Sequence, residues 1–127
     1  MAAEKTIFCV SYDAGLLHTR RLVLEQAGFL VITASNLEQA RRHVLEAEFD
    51  LAIVGHSLPK ADRESIAAEI RRLHPHAALI TLYRGIAECE PLTDALLSVS
   101  SGPDALVQLI SSMVGTRGSA ESTPGTV

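Results

Sequence analysis

The sequence has no tryptophan, and its two tyrosines and three phenylalanines make up only 4% of 127 residues. Since 47% of the residues are apolar, a sizeable core can form, but it must be built mainly from Leu, Ile, Val and Ala side chains. A chain of this length favours a single domain.

Cysteine is also scarce, and no membrane-spanning segment is apparent. Cys9 lies in an apolar run and is predicted to be a small core residue. Cys89 stands between two glutamates, which disfavour a thiolate. The spacing of the cysteines excludes a disulfide framework and a zinc motif. No apolar run approaches the roughly 18 residues of a membrane span, and the N-terminus lacks an apolar signal core. The sequence therefore predicts a cytoplasmic protein without membrane contact.

The chain has no excess of positive charge, because its formal net charge is -4. Direct nucleic-acid binding is not expected of such a domain. Arginine nevertheless recurs in pairs on predicted helices, at residues 20–21, 41–42 and 71–72. We interpret these pairs as solvated helix faces, with a patch for an anion or a partner as the alternative.

The apolar pattern alternates between predicted strands and helices. The predicted strands span residues 6–10, 29–33, 51–54 and 78–82, with a weaker fifth strand at 96–99. The third strand is apolar at consecutive positions, which indicates burial on both faces. Asp13, Asn36 and Asp62 are predicted to open the first three helices, and Pro103 the last. This order predicts a doubly wound parallel α/β sheet.

The segment 50–59, DLAIVGHSLP, carries a family resemblance together with features spaced along the chain. The others are Gly28-Phe29, the helix NLEQARRHV, His74-Pro75 and GPDAL at 102–106. In this order they resemble the receiver domain of bacterial response regulators. The resemblance implies a flavodoxin-like five-stranded parallel sheet of order 2-1-3-4-5, with helices on both faces, over residues 1–114. Residues 115–127 are expected to form a flexible tail or the start of a linker.

The fourth helix of this family has little room here. Residues 84–98 must hold a helix and a strand, whose mean lengths of about 11 and 5 residues leave nothing for loops. Pro91 interrupts the middle of the segment. We therefore expect this helix to be short, distorted, displaced or absent.

The family transfers a phosphoryl group from a histidine kinase to an aspartate, with two further acids holding Mg²⁺. By the resemblance, the aspartate position falls on Gly55 and the acidic pair on Ser11 and Tyr12. Asp13 is the one acid nearby and is expected to cap a helix. The family's hydroxyl falls on Tyr83, with Thr81 deeper on the same strand, and its lysine falls on Val99. We therefore expect a vestigial pocket with no catalytic residue, metal or cofactor.

The residues of this pocket leave several interpretations open. Tyr12 and Tyr83 are expected to fill the space of the metal and phosphate, or simply to bury a ring and leave the hydroxyl wet. His56 is interpreted as a loop residue, with a contact role or a general base as alternatives. His74 and His76 could bind a metal only with a third ligand. The acids Glu88, Glu90 and Asp94 are expected in a solvated loop, or alternatively in an acidic docking patch.

The leading functional hypothesis is a non-catalytic, phosphorylation-independent receiver-like domain. It would act as a protein-interaction module in bacterial two-component signalling or its transcriptional control, and a homodimer is left open. The alternative is a small-molecule sensor that uses the vestigial pocket at the carboxyl edge of the sheet. An enzyme on this fold ranks last, because the sequence supplies no set of nucleophile, base and orienting residue.

Overall fold

The structure is a computed structural model that describes residues 5–87, 90 and 92–114. Five parallel strands form one sheet of order β2-β1-β3-β4-β5. The strands are β1 (Thr6–Val10), β2 (Leu30–Ala34), β3 (Leu51–Val54), β4 (Ala78–Tyr83) and β5 (Ala95–Ser98). The helices are α1 (Ala14–Gln26), α2 (Leu37–Glu46), α3 (Lys60–Leu73) and α4 (Pro103–Val114). The predicted flavodoxin-like fold and strand order are confirmed.

The apolar strands are buried on both faces of the sheet. All four residues of β3 are fully or almost fully buried, as its continuous apolar pattern predicts. Phe8 and Val10 of β1 point into the cluster beneath α2 and α3, whereas Ile7 and Cys9 point into the cluster beneath α1 and α4. Burial raises the pKa of the Cys9 thiol to about 12, so this cysteine is an inert core residue.

The predicted helix boundaries hold at three of four sites. The side chains of Asp13 and Asn36 accept hydrogen bonds from the backbone N–H groups of Leu16 and Gln39, and so cap α1 and α2. Gly28 follows α1 with a φ of 99°, which suits glycine. The prediction for α3 is wrong by two residues, because the helix begins at Lys60 rather than at Asp62. Its N-cap is Pro59. Asp62 lies in the first turn, where its carboxylate interacts favourably with the helix dipole.

Three strands also differ from the sequence prediction. β2 runs one residue later than expected, β5 runs one residue earlier, and β4 is one residue longer. As a result Val99 is not in β5 but opens a 3-10 turn, Val99–Ser101, before α4. The side chain of Ser98 caps this turn by accepting from the backbone N–H of Ser100, a local bond that ends the strand.

No helix occurs in the described residues between β4 and β5, namely 84–87, 90 and 92–94. The expectation that the family's fourth helix is short, distorted or missing is thus met by an irregular connection. The last helix in the described residues, α4, corresponds in order to the fifth helix of the family that the sequence resembles.

Two ion pairs link the β4–β5 connection to α3. The guanidinium of Arg63 lies 2.9 Å from the Glu90 carboxylate, and both side chains are almost buried, with 12% and 8% exposed. The Arg71 guanidinium pairs with Asp94 at 2.6 Å. The expectation of a solvated acidic loop or a free docking patch is therefore wrong for Glu90 and Asp94. Glu88 lies outside the described residues.

The remaining sequence predictions concern membrane contact and the tail. None of the helices in the described part of the chain combines the length and the apolar content that crossing a bilayer demands. The predicted tail, residues 115–127, lies outside the described residues, as does Cys89.

Candidate functional site

The candidate site lies at the carboxyl edge of the sheet, where three central strands end. Residues 11–13 follow β1, residues 55–57 follow β3, and residue 84 follows β4. In an open α/β sheet, this edge is where ligands bind. The structure thus brings together the ends of the strands on which the sequence analysis placed the vestigial pocket.

Gly55 lies at the bottom of this site, fully within the protein. Its N–H donates to the Val10 carbonyl oxygen at 2.9 Å, which extends the β1–β3 pairing beyond the strand end. A Cβ on Gly55 would lie 3.0 Å from that oxygen, 3.1 Å from Nη1 of Arg20 and 3.2 Å from Cβ of Ser11. The position that corresponds to the family's aspartate is therefore closed by backbone on one side and by a guanidinium on the other.

Hydroxyl groups link the loops after β1 and β3 where the family has acids. The buried hydroxyl of Ser11 lies 3.0 Å from the Ser57 hydroxyl. The Ser57 oxygen accepts from the backbone N–H of Tyr12 at 2.8 Å, and the Ser11 oxygen accepts from that of Asp13 at 3.2 Å. These bonds hold the two loops together with neutral groups.

Tyr12 turns toward α3. Its hydroxyl donates to Oδ2 of Asp62 at 2.8 Å, and its ring packs against the core beneath α2 and α3. Burial, together with the hydrogen bond to Asp62 and the charge of that carboxylate, raises the pKa of Tyr12 to about 12. The side chains nearest to a Cβ on Gly55 are those of Arg20 and Ser11, whereas the Tyr12 hydroxyl is directed at Asp62.

The side chains present do not fit Mg²⁺. Gly55 offers no ligand atom, the Ser11 hydroxyl is engaged, and the Tyr12 phenol remains protonated beside Asp62. Asp13 follows β1 and its Oδ1 caps α1, while the Asp62 carboxylate accepts from the Tyr12 hydroxyl. Hard cations require several oxygen ligands. In the described part of the chain, no cluster of three or more His, Cys, Asp or Glu residues could hold a metal.

Arg20 reaches into the site from α1. Burial lowers the pKa of its guanidinium from the ordinary value. Its Nη1 is buried and has no hydrogen-bond partner among the described residues. A buried donor without a partner costs free energy, so this group is held by packing rather than by pairing.

His56 faces the same region from the loop after β3. Its Nε2 is the second buried side-chain atom without a hydrogen-bond partner in the described chain. Burial and the charges of Arg84 and Arg20 lower the pKa of His56, and Asp13 opposes this shift. The ring is therefore neutral near pH 7. No carboxylate is hydrogen bonded to it, so the orienting group that a general base needs is absent from the described residues.

The positions of the family's hydroxyl and lysine carry no equivalent groups. The Thr81 hydroxyl is buried and donates to Oγ1 of Thr93 at 3.0 Å, which fixes it to the β4–β5 connection. Tyr83 is half-buried at the end of β4 and lines a cavity of about 310 Å³ with His56 and Arg84. Val99 packs against the core beneath α1 and α4.

A second cavity, of about 230 Å³, lies between α1 and the segment from β5 to α4. Arg20, His56 and Arg84 line it, and Val99 forms part of its wall. Tyr12 lines neither of these two cavities. The second cavity is thus lined by basic and apolar side chains without a carboxylate, whereas Glu90 and Arg63 line the first.

Sequence reasoning missed Arg20 because arginine pairs on a helix usually face solvent. The interpretation holds for Arg21, Arg42 and Arg72, which pair with glutamates three or four residues away on the same helix. It fails for Arg20 and for Arg71, which turns inward to Asp94. A usable signal was the helical position of Arg20, which lies three residues after Leu17 and four before Leu24, both buried core residues.

His74, which the sequence allowed as a metal ligand only with a third ligand, follows α3 directly as its C-cap. It is buried, its Nε2 lies 2.7 Å from the Val44 carbonyl oxygen, and its ring stacks on Phe49 with centroids 4.2 Å apart. Because Nε2 must carry a proton to donate to a carbonyl, that nitrogen is not a metal ligand. His74 is a structural residue of the core.

Comparison with known proteins identifies the fold. No protein-family profile matches the sequence, and no curated protein matches it. Among solved structures, it is similar to a CheY-like response regulator receiver domain from Methanospirillum hungatei, with a TM-score of 0.79 and 22% identity over 88% of this chain and 94% of that one. It is also similar to a two-component response regulator from Clostridium difficile. The TM-score is 0.77, with 17% identity over 91% of this chain and 100% of that one.

A third similar structure is the response regulator TrrA from Thermotoga maritima in complex with Mg(2+)-BeF. Its TM-score is 0.75, with 22% identity over 86% of this chain and 98% of that one. All three are receiver domains or response regulators of nearly the same length as the described part of this chain. The chain therefore has the fold of response regulator receiver domains.

Proposed function

We propose that this chain is a receiver-like domain that accepts neither a phosphoryl group nor Mg²⁺ and acts as a protein-interaction module. Its setting would be bacterial two-component signalling or the control of transcription in such a pathway. The observation that carries the proposal is the contact between Arg20 and Gly55. A guanidinium there supplies a permanent positive charge where the resemblance places the phosphoacceptor carboxylate.

Electrostatics supports this proposal. A divalent cation would be repelled by the guanidinium of Arg20 and by Arg84, which lines both cavities. No nucleophile replaces the missing aspartate, because the nearby hydroxyls of Ser11 and Ser57 bond to each other and to backbone. The loops are thus already fixed without ligand.

The face beside β5 supports a protein partner. Ile86 has 88% of its surface exposed and Leu96 has 40%, and both line the cavity that also contains Tyr83. An exposed apolar cluster with a polar rim is typical of protein-interaction surfaces. In the family that this chain resembles, the corresponding side of the domain is the usual output and dimer face, here rebuilt around an irregular connection.

Incubation with acetyl phosphate tests the first half of the proposal. We expect no mass increase and no mobility shift on a phosphate-affinity gel, since no acceptor carboxylate lies at residue 55. Asp13→Asn is the matched variant, because Asp13 is the acid of the loop that follows β1. Acid-stable or base-labile labelling of the wild-type chain that disappears in Asp13→Asn would contradict the proposal.

Affinity capture from cells of the source organism tests the second half. The bait is compared with the double variant Ile86→Glu/Leu96→Glu and with Leu45→Glu, which alters an exposed leucine on α2. We expect a partner that is lost with the double variant and retained with Leu45→Glu. A partner that binds all three baits equally would contradict the assignment of the interaction surface to Ile86 and Leu96. If the wild-type bait captures no partner, the proposed interaction role is wrong. Sedimentation of the purified chain decides whether the partner is a second copy.

A further inference from the structure

The cavity between α1 and the β5–α4 segment combines an apolar wall with a basic end. Its volume is about 230 Å³, below the roughly 300–1,000 Å³ of pockets for drug-sized ligands. The apolar wall is formed by side chains from α1, β4, β5, the 3-10 turn and α4. These are Leu16, Val23, Leu82, Leu97, Val99, Pro103 and Leu106.

The basic end contains three nitrogen-bearing side chains. Arg20 comes from α1, His56 from the loop after β3, and Arg84 from the end of β4. No acidic residue is among those that line this cavity. Two of these side chains also carry the buried atoms without hydrogen-bond partners, Nη1 of Arg20 and Nε2 of His56. Both orphaned atoms thus belong to residues that meet in one cavity.

We propose that this cavity binds a small organic monocarboxylate, with its carboxylate at Arg20, Arg84 and His56 and its apolar body against the leucines of α1, β5 and α4. The carboxylate would pair with the guanidinium groups of Arg20 and Arg84 through charge-assisted hydrogen bonds. The ligand would also bridge α1 and α4, which pack on the same side of the sheet.

The chemistry of the wall selects this class over other anions and over cations. Inorganic phosphate or sulfate would leave the apolar wall without a partner, whereas an amphipathic acid covers it. A cation would be repelled, because the lining residues include two arginines and no carboxylate. The small volume excludes a nucleotide. The lowered pKa of His56 is consistent with an anion site, because a bound anion would favour the protonated ring.

This inference goes beyond the proposed function and does not depend on it. A domain that ignores phosphate can bind a partner with or without a small ligand. The ligand experiment measures the affinity of this cavity for a carboxylate, whereas the experiments above measure phosphorylation and partner capture. A negative result in one experiment therefore does not count against the other proposal.

Titration of the ¹⁵N-labelled chain followed by NMR tests the proposal. The probes are hexanoate, phenylacetate and indole-3-acetate, together with their neutral primary amides and inorganic phosphate. We expect saturable shifts at Arg20, His56 and Val99 with at least one carboxylate, at a dissociation constant below about 1 mM. The amides and phosphate should give none. The pKa of His56, followed through its ring ¹⁵N signals, should rise in the complex.

Variants separate a binding role from a structural one. Arg20→Met keeps the long side chain and removes the charge, so affinity should fall at least tenfold while the melting temperature stays equal or rises. Arg84→Gln changes an exposed residue and should weaken binding without affecting folding. Arg21→Gln, on the exposed face of the same helix, should leave affinity unchanged.

Three outcomes would overturn the proposal. The first is the absence of saturable shifts with all three carboxylates. The second is equal binding of the acids and their amides. The third is unchanged affinity in both Arg20→Met and Arg84→Gln. Binding of inorganic phosphate alone is a case of the first outcome, because it would show an anion site without the apolar specificity.

Discussion

The guanidinium of Arg20 packs against the backbone of Gly55, with Nη1 3.1 Å from where a Cβ on that glycine would lie. The residues come from α1 and from the end of β3, which are far apart in sequence. Their contact explains two departures from the resemblance at once. The carboxylate that would attract a metal is missing, and a fixed cation from the protein itself lies in its place.

The close packing at Gly55 predicts that even one added methyl group destabilises the fold. We expect Gly55→Ala to lower the free energy of unfolding by about 1–3 kcal/mol, because the Val10 carbonyl oxygen cannot move without breaking its bond to the residue 55 N–H. Gly15→Ala is the control. It lies in the first turn of α1 with ordinary contacts and should stabilise by about 0.5–1 kcal/mol. Equal stability of Gly55→Ala and wild type in urea unfolding would contradict the packing.

Restoring the aspartate alone should not restore phosphorylation. In Gly55→Asp the new carboxylate would pair with Arg20, and Ser11 and Tyr12 still could not hold Mg²⁺. We therefore expect no label from acetyl phosphate in this variant, measured by intact mass. Rapid Mg²⁺-dependent labelling at residue 55 would overturn this account of the site.

The hydrogen bond from Tyr12 to Asp62 predicts a pH-dependent contribution to stability. Tyr12→Phe should lower the free energy of unfolding by about 1.5 kcal/mol at pH 7, as for a bond to a charged acceptor. The folded-state pKa of about 12 exceeds the ordinary value of 10.0. This stabilisation is therefore fully present below pH 10 and is lost as the pH rises toward 12.

Urea unfolding of wild type and Tyr12→Phe at neutral and alkaline pH measures this effect. Tyr83→Phe is the control, since the Tyr83 hydroxyl makes no hydrogen bond in the described part of the chain. A difference between wild type and Tyr12→Phe that stays constant above pH 10 would refute the assignment.

The core position of His74 predicts a large loss on truncation. His74→Ala removes the stacking on Phe49 and the bond to the Val44 carbonyl, and should cost about 2–4 kcal/mol. His76→Ala, at an exposed residue two positions later, should change stability by less than about 0.5 kcal/mol. If Zn²⁺ raised the melting temperature of wild type but not of His74→Ala, the structural role would be wrong.

The buried ion pair between Arg63 and Glu90 predicts that the β4–β5 connection depends on α3. Glu90→Gln should destabilise the chain by about 3 kcal/mol, because it removes a nearly buried carboxylate that pairs with the Arg63 guanidinium. Glu69→Gln removes the surface pair with Arg72 and should cost less than about 1 kcal/mol. Similar costs for the two variants would show that Glu90 is more solvated than the structure indicates.

The sequence sufficed for the fold because its local signals agree with one another. The continuous apolar run of β3, the caps Asp13 and Asn36 and the glycine after α1 each specify one element, and all favour the same alternation. The boundary errors at β2, β4, α3 and β5 are one or two residues long. Those at α3 and β5 arise where a proline or a local hydrogen bond, and not the apolar period, begins or ends the element.

The site was less predictable because it depends on where long side chains turn. Residue 20 is an arginine on an amphipathic helix, and sequence alone does not distinguish a solvated guanidinium from one that reaches into the sheet edge. The same holds for Arg71 and for Glu90 and Asp94, whose pairing is set by the path of an irregular connection. The resemblance placed the family's aspartate position at Gly55, but the neighbouring guanidinium of Arg20 could be found only in three dimensions.

The most direct test of the central claim is a titration of the ¹⁵N-labelled chain with Mg²⁺ and beryllofluoride, observed at the amides of residues 10–13 and 55–57. The Thermotoga maritima regulator TrrA, solved in complex with Mg(2+)-BeF, is the positive control. The account predicts saturable shifts in the control and none in this chain. Saturable shifts at Gly55 and Ser11 in the wild-type chain would contradict it.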